Sequence, residues 1–207
     1  MDVLTRHAAE TYLREAEKMN PGSWVKHSLN VAKAAAAIAR AHPRLDPEIA
    51  YILGCLHDIG RREGKTDMRH SIDGFRFLSM EGHFQAARIC ITHSFPLKNV
   101  NAGSGEWDCT RKEKTFVRDY LARIRYTPYD RLIQLCDAVT MGSGYCLMEK
   151  RLVDVALRRK VYPLTVDKWK AFLKIKDEFE GEIGDSIYRF LPGVVENTFG
   201  CPVEMVS

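Results

Sequence analysis

The 207-residue sequence lacks the cysteine pairs and long apolar runs that would assign it to a class at once. None of its six cysteines belongs to a Cys-x-x-Cys pair, and Cys55, Cys90 and Cys136 lie within apolar helical runs. Such cysteines are typical of small buried side chains in a reducing compartment. No window approaches the ~20 apolar residues of a membrane span. We therefore predict a cytoplasmic protein that does not enter a membrane.

Concentrated charge and strand patterns are also absent. The formal net charge is only +4, and the most basic stretch, Arg158-Arg159-Lys160, is short enough to be a solvated helix end. A nucleic-acid-binding surface would need a longer basic stripe. No stretch alternates apolar and polar residues with a period of two. These absences predict no extended nucleic-acid surface, and they leave a small anionic molecule and a homodimer as compatible partners.

Helix signals dominate the sequence. Apolar residues recur at helical spacing from Ser23, a predicted N-cap, to Pro43. Asp46-Pro47-Glu48 is a helix start, and the helix that it opens is predicted to end near Gly60. Further helices are predicted at about 71–80, 84–94, 111–125, 128–140, 145–160 and 165–182. The predicted fold class is all-α, a helical bundle.

Glycines suggest how this bundle is divided. Gly142-Ser143-Gly144 is expected to separate a core, residues 1–142, from a C-terminal helical extension, residues 143–207, that packs on it in one globular unit. The segment from Asn99 to Trp107 is predicted to be the long loop, and long loops in compact domains are often functional. We expect Trp107 to pack on its own domain rather than to stack on a nucleobase.

Histidines and aspartates lie beside apolar helical segments rather than in polar loops. His57-Asp58 ends an apolar run, His93 ends another, and Asp137 lies within a third. A buried carboxylate is costly unless it is paired, neutralised or bound to a metal. One such histidine alone would be typical of a core residue, but one divalent ion can neutralise several together. The candidate ligands are His27, His57, Asp58, His70, His93 and Asp137.

The order of these residues resembles the HD superfamily of metal-dependent phosphohydrolases. His57-Asp58-Ile59-Gly60 follows an apolar helix, with His27 upstream and Asp137 downstream, and the resemblance covers about Ser23 to Thr140. It implies an HD-domain helical bundle in which His27, His57, Asp58 and Asp137 hold one ion.

Two further segments resemble those of binuclear members of the superfamily. His70-Ser71-Ile72-Asp73-Gly74 and Ile91-Thr92-His93 would supply His70 and His93 to a second ion, with Asp58 bridging the two. Two ions together lower the pKa of a shared water, so that hydroxide is available near neutral pH. Since the interval from His57 to His70 is short, the loop between them must turn quickly. If it does not, the centre is mononuclear and His70 is a substrate-binding or surface residue.

Basic residues after the motif are candidates for substrate binding. Arg61 stands where some members of the superfamily carry a basic residue that faces the substrate phosphate, and a guanidinium can bind phosphate oxygens in a bidentate manner. We predict Asp58 and Arg61 as catalytic residues, and Arg61, Arg62 and Lys65 as substrate-binding residues. A plain solvent-facing arginine is the alternative for Arg61.

The resemblance implies a phosphohydrolase that cleaves a phosphoester or phosphoanhydride of a nucleotide or similar small molecule. Nitrogen and carboxylate ligands favour iron or manganese, with zinc, cobalt, nickel or magnesium as alternatives. Two other functions stay open from the sequence. One is a di-iron oxygenase, because the same ligands suit redox-active iron, and the other is a non-catalytic module that binds a metal or a nucleotide.

Overall fold

A computed structural model of the chain describes residues 4–201. Within these residues the fold is all-α, as predicted, with one small hairpin. The α-helices are α1 (Arg6–Met19), α2 (Ser23–Ala41), α3 (Pro47–Leu56), α4 (Arg69–Met80), α5 (Phe84–Thr92), α6 (Arg111–Arg123), α7 (Pro128–Asp137), α8 (Met148–Arg159), α9 (Thr165–Ile183) and α10 (Val194–Phe199). Short 3₁₀ helices span Ile59–Glu63, Val100–Ala102 and Ile187–Phe190.

The centre of the bundle is the contact between α2 and α3. The buried face of α2 is rich in alanine, so α3 can approach its backbone closely. At the crossing point, a Cβ added to Gly54 would stand 2.7 Å from the Cα of Ala32. Real Cβ atoms are not found at that distance, and the position therefore requires glycine. This close crossing brings α2 and the end of α3 to one side of the core.

Helix starts follow the sequence at one position and differ at another. Asp46 caps α3, because its Oδ1 accepts hydrogen bonds from the amides of Glu48 at 2.7 Å and Ile49 at 3.0 Å. The N-cap predicted at Ser23 is wrong. Gly22 occupies the cap position of α2, Ser23 is the first helical residue, and no side chain caps this end.

The chain turns sharply between α3 and α4. The predicted helix to Gly60 ends earlier, at Leu56, and the chain continues in the 3₁₀ helix Ile59–Glu63. A side chain at Gly60 would collide with the carbonyl of His70 and the amide of Gly74. Glycine therefore lets α4 pack directly on the 3₁₀ helix, which is the quick turn that the short interval requires.

The segment after α7 is a hairpin where helix was predicted. Strands β1 (Thr140–Met141) and β2 (Gly144–Tyr145) pair antiparallel, with Thr140 opposite Tyr145. The break expected at residues 142–144 is therefore a tight turn. It shortens the two predicted helices that flank it, so that α7 ends at Asp137 and α8 begins at Met148. The hydroxyl of Tyr145 donates to the carbonyl of Asn30 at 3.1 Å and holds the hairpin on α2.

The C-terminal helices pack on the same core as the N-terminal ones. Phe172, Ile175 and Phe179 of α9 are buried in one hydrophobic cluster with α2 and α7. A second, smaller cluster lies beneath α6, where Trp107 stacks on Phe95 with ring centroids 6.0 Å apart. Trp107 therefore packs on its own domain, as predicted.

Among the residues described, no helix combines the length and apolar character needed to cross a membrane.

Candidate metal centre

The six residues predicted as metal ligands converge on one side of the core. Each lies on the first turns of a helix or at its end: His27 on α2, His57 and Asp58 after α3, His70 on α4, His93 after α5 and Asp137 as the last residue of α7. Their ligand atoms form three overlapping groups, in each of which all atoms lie within 4.8 Å of one another. These groups are His27–His57–Asp58, His57–His93–Asp137 and Asp58–His70–His93.

Three of the imidazole rings are oriented by main-chain carbonyls. The Nδ1 of His57 donates to the Gly54 carbonyl at 2.8 Å, and that of His93 donates to the Ile89 carbonyl at 3.1 Å. The Nδ1 of His70 donates to the carbonyl of Asp67. Since Nδ1 carries the proton in each ring, Nε2 has a free lone pair. All three rings thus present their Nε2 atoms as metal ligands.

Asp58 belongs to two of the three groups of ligand atoms. Its Oδ2 accepts a hydrogen bond from the Nε of Arg61 at 2.6 Å. Its Oδ1 lies 3.1 Å from the Nε2 of His70 and 3.6 Å from the Nε2 of His93. Burial opposes the charge of Asp58, but Arg61, His70 and His57 outweigh it and hold its pKa well below the usual range. The carboxylate is therefore ionised and available as a ligand.

Two buried polar atoms of the centre lack a hydrogen-bond partner among the residues described. They are the Nε2 of His57 and the Oδ1 of Asp58, both fully shielded from solvent. An unpaired polar atom in a protein interior costs free energy, and native interiors rarely leave one without a partner or an ion. A cation coordinated by both atoms would satisfy them, so the residues present fit divalent metal ions.

Asp137 and His27 complete the other side of the centre. The Oδ1 of Asp137 lies 2.9 Å from the Nε2 of His27. Burial disfavours the charge of Asp137, but the hydrogen bond from His27 and the nearby imidazoles more than compensate and lower its pKa. Burial in turn lowers the pKa of His57, and it lowers that of His93 to about 3. Neutral imidazoles at His57 and His93 beside ionised carboxylates are the protonation states that metal binding needs.

A buried ion pair supports the helices that carry His93 and Asp137. Asp130 of α7 is fully buried and accepts hydrogen bonds from the Nε and Nη2 of Arg88, the latter at 2.6 Å. It also accepts one from the hydroxyl of Thr92 at 2.7 Å. Thr92 directly precedes His93 in the sequence. The ion pair therefore fixes the end of α5 against the start of α7.

A cavity of about 430 Å³ opens above the ligands. Its floor includes His27, Asp58, His70, His93 and Asp137, and its walls come from the loop around Gly103 and from α8 and α9. This volume is in the range of small-molecule sites.

The three predicted substrate-binding residues have different positions relative to this cavity. Arg61 lines it, and its guanidinium also pairs with Asp58. Arg62 and Lys65 lie outside the lining. Consecutive residues of a 3₁₀ helix point about 120° apart, so Arg62 faces away from Arg61 and covers the ring of Phe77 at 4.0 Å. Lys65 is exposed in the loop before α4. The structure thus gives Arg62 and Lys65 no contact with the cavity.

Several cavity residues were not found from the sequence. Lys168 of α9 and Ser104 of the loop face the cavity, where the Nζ of Lys168 donates to the Oγ of Ser104 at 2.8 Å.

The ion pair between Arg88 and Asp130, which lies outside the cavity, was not predicted from the sequence either. The N-terminal capping box of α7, Thr127 with Asp130 three residues later, is a local signal that could have indicated Asp130.

Comparison with known families decides the classification. The profile of the HD domain family matches residues 24–142, more than half of the chain and the segment that carries all six ligands. The chain belongs to the HD domain family. This family includes metal-dependent phosphohydrolases. No curated protein and no solved structure matches the chain. In this HD protein the segment beyond residue 142, which supplies a wall of the cavity, lies outside the matched range.

Proposed function

We propose that this HD protein is a metal-dependent phosphohydrolase that cleaves a phosphoester or phosphoanhydride of a nucleotide or similar small molecule. The observation that carries the proposal is the convergence of six histidine and aspartate side chains, five of which line the floor of one cavity. Two of their buried atoms have no hydrogen-bond partner among the residues described. Basic side chains in the walls of the same cavity suit an anionic substrate.

The grouping of the ligand atoms supports two ions. His27, His57 and Asp58 would hold one, with Asp137 beside His27 as a fourth ligand, and Asp58, His70 and His93 would hold the other. Iron or manganese is the favoured metal for this mixture of nitrogen and oxygen ligands. When bound, such ions supply positive charge to the phosphoryl group and make a water acidic enough to act as a nucleophile near neutral pH.

Arg61 has two roles in this proposal. Its Nε holds the Oδ2 of Asp58, which fixes the orientation of the carboxylate while leaving lone pairs for an ion. Its Nη2 makes no hydrogen bond to any residue in the described part of the chain, and the side chain lines the cavity. The guanidinium can therefore orient Asp58 and donate to a phosphate oxygen at the same time.

The proposal is tested by measuring phosphate release from a panel of nucleotides and small phosphoesters, with the protein loaded with Mn²⁺ or Fe²⁺. We expect activity that requires the metal and falls at least about a hundredfold in His57→Ala and Asp58→Ala. His7→Ala is the matched control, because His7 is exposed on α1 away from the cavity. If both ligand variants lose metal and hydrolysis of no phosphoester depends on the metal, the proposal is wrong.

The same experiment separates the two alternatives. A di-iron oxygenase would consume oxygen with Fe²⁺ and an organic substrate, and it would not release phosphate from the panel. A non-catalytic module would bind metal and nucleotide without turnover.

A further inference from the structure

One buried cation in the cavity has no partner of opposite charge among the residues that the structure describes. Six basic side chains line it, and five pair with carboxylates: Arg61 with Asp58, Arg151 and Arg158 with Asp154, Arg159 with Asp67, and Lys160 with Glu106. The sixth, Lys168, has no carboxylate within ion-pair distance among residues 4–201. Its positive charge is therefore uncompensated by the residues of the fold that the structure describes.

Burial makes this uncompensated charge costly. Lys168 is only 7% exposed. Its ammonium group has three donors, one of which binds the Oγ of Ser104, while the ring of Phe172 lies 5.7 Å away. An unpaired ammonium in a protein interior costs several kcal/mol unless it loses its proton or finds an anion. Burial accordingly lowers the pKa of Lys168 to about 8.

The metal centre does not provide the missing negative charge. Asp137 is the carboxylate that acts on Lys168, but it is already hydrogen-bonded to His27. Bound divalent ions would add positive charge to the same cavity and make the position of Lys168 less favourable. Among residues 4–201 no carboxylate is left to pair with Lys168, and a molecule that occupies the cavity can bring the compensating anion.

We propose that Lys168 and Ser104 form an anion subsite that binds a second anionic group of the substrate, distinct from the group held at the metal centre. That group is a phosphate or a carboxylate, and the substrate is then a small molecule with at least two anionic groups. The inference rests on the proposed function for the first of these groups, but the subsite itself is measurable by binding without turnover.

The test uses phosphonates, which are not hydrolysed. Calorimetry on the Mn²⁺-loaded protein compares methylphosphonate, which has one anionic group, with phosphonocarboxylates and bisphosphonates of increasing chain length. At the length that reaches Lys168 we expect binding tighter by about tenfold or more, a gain typical of hydrogen bonds to charged groups. The series that binds more tightly identifies the second group: phosphonocarboxylates indicate a carboxylate, and bisphosphonates indicate a phosphate.

Variants assign this gain to the subsite. Lys168→Met keeps the length of the side chain without its charge and should abolish the gain, while Lys168→Arg should keep part of it. Lys174→Met is the matched control, because Lys174 lies on the same helix and its side chain is 78% exposed. The inference is overturned if the wild type gains nothing from a second anionic group at any length, or if the gain is unchanged in Lys168→Met.

A second readout on the wild type is independent of variant folding and of the proposed function. Trace acetylation followed by peptide mass spectrometry reports the accessibility of Lys168 relative to Lys174. Inorganic phosphate or malonate should slow acetylation of Lys168 alone, by about tenfold or more if the subsite is filled. If neither anion slows the acetylation of Lys168, the proposed subsite is wrong. Protection combined with no metal-dependent hydrolysis would refute the phosphohydrolase and leave the subsite intact.

Discussion

At the scale of single residues, the centre depends on which nitrogen each imidazole presents. His57, His70 and His93 lie close to the carbonyls of residues that precede them by three or four positions, so local helical geometry alone orients their rings. The same geometry places the Nε2 atoms of His70 and His93 only 3.4 Å apart, with the Oδ1 of Asp58 beside them. Two lone pairs so close to a carboxylate are favourable once a cation lies between them.

His70 is the residue that distinguishes two ions from one. It belongs to the group Asp58–His70–His93 and to neither of the others. We therefore expect elemental analysis to find about two ions per chain in the wild type and about one in His70→Ala, since the two groups without His70 can still hold an ion. His83→Ala, outside the centre, should retain both. One ion per chain in the wild type and in His70→Ala would show that the centre is mononuclear.

Lys168 should make stability depend on pH in a specific window. Its folded pKa of about 8 lies below the ~10.4 of an unfolded lysine, so the unfolded chain binds more protons between these values and stability rises with pH there. Without bound anions, Lys168→Met should be more stable than the wild type at neutral pH by up to roughly 3 kcal/mol, and the difference should vanish by about pH 10.5.

Urea unfolding of the metal-free protein across this pH range measures the effect. Buffers must contain neither phosphate nor carboxylate, because either anion could occupy the subsite. Lys174→Met should follow the wild type at every pH. A difference between Lys168→Met and the wild type that does not change with pH would mean that the charge of Lys168 is not the cause.

At the scale of helices and loops, the ion pair of Arg88 and Asp130 joins α5 to α7. Arg88→Leu would leave the buried carboxylate of Asp130 with hydroxyl and amide donors only. We expect the free energy of unfolding in urea to fall by about 2–4 kcal/mol, because removal of one partner leaves the other charge buried and unpaired. Metal affinity should fall as well, since Thr92 and the adjacent His93 lose their fixed position.

Two variants test this explanation. The double variant Arg88→Leu with Asp130→Leu removes both polar groups and should recover part of the lost stability. Arg118→Leu is the control, because Arg118 pairs with Asp119 at the surface, where their side chains are 61% and 46% exposed. Equal losses in Arg88→Leu and Arg118→Leu would contradict a specific role for the buried pair.

The helices were predictable where the signals are local, and the differences have local causes. Asp46 and Pro47 determine the start of α3 within one turn of chain. The hairpin escaped prediction because each strand has two residues, too few for an alternating pattern. The turn to His70 could not be predicted either. It depends on contact between Gly60 and Gly74, and a pattern of residues does not show such close approach.

The candidate ligands form a pattern that can be read from the sequence, whereas the cavity does not. His57-Asp58-Ile59-Gly60 and the single histidines and aspartate around it form a pattern that can be read along the chain. Lys168 carries no such pattern, and only the packing of α9 against the hydrophobic core brings it above the metal centre. Its partner Ser104 lies in a different segment, the loop that was expected to be functional.

At the scale of the whole molecule, bound metal would tie the core together. The candidate ligands come from α2, α3, α4, α5 and α7 or the residues that follow them, so unfolding separates these five segments. A ligand that binds only the native state raises the free energy of unfolding, by about 2.7 kcal/mol at a hundredfold excess over its Kd. We therefore expect chelation to lower the urea midpoint of the wild type by a corresponding amount.

His57→Ala provides the decisive comparison for this last effect. His57 belongs to two of the three ligand groups, so its loss should weaken metal binding enough that chelation no longer shifts the midpoint. His7→Ala should respond to chelation as the wild type does. If chelation lowers the midpoint of His57→Ala as much as that of the wild type, the stabilising metal is bound elsewhere and the centre described above is not its site.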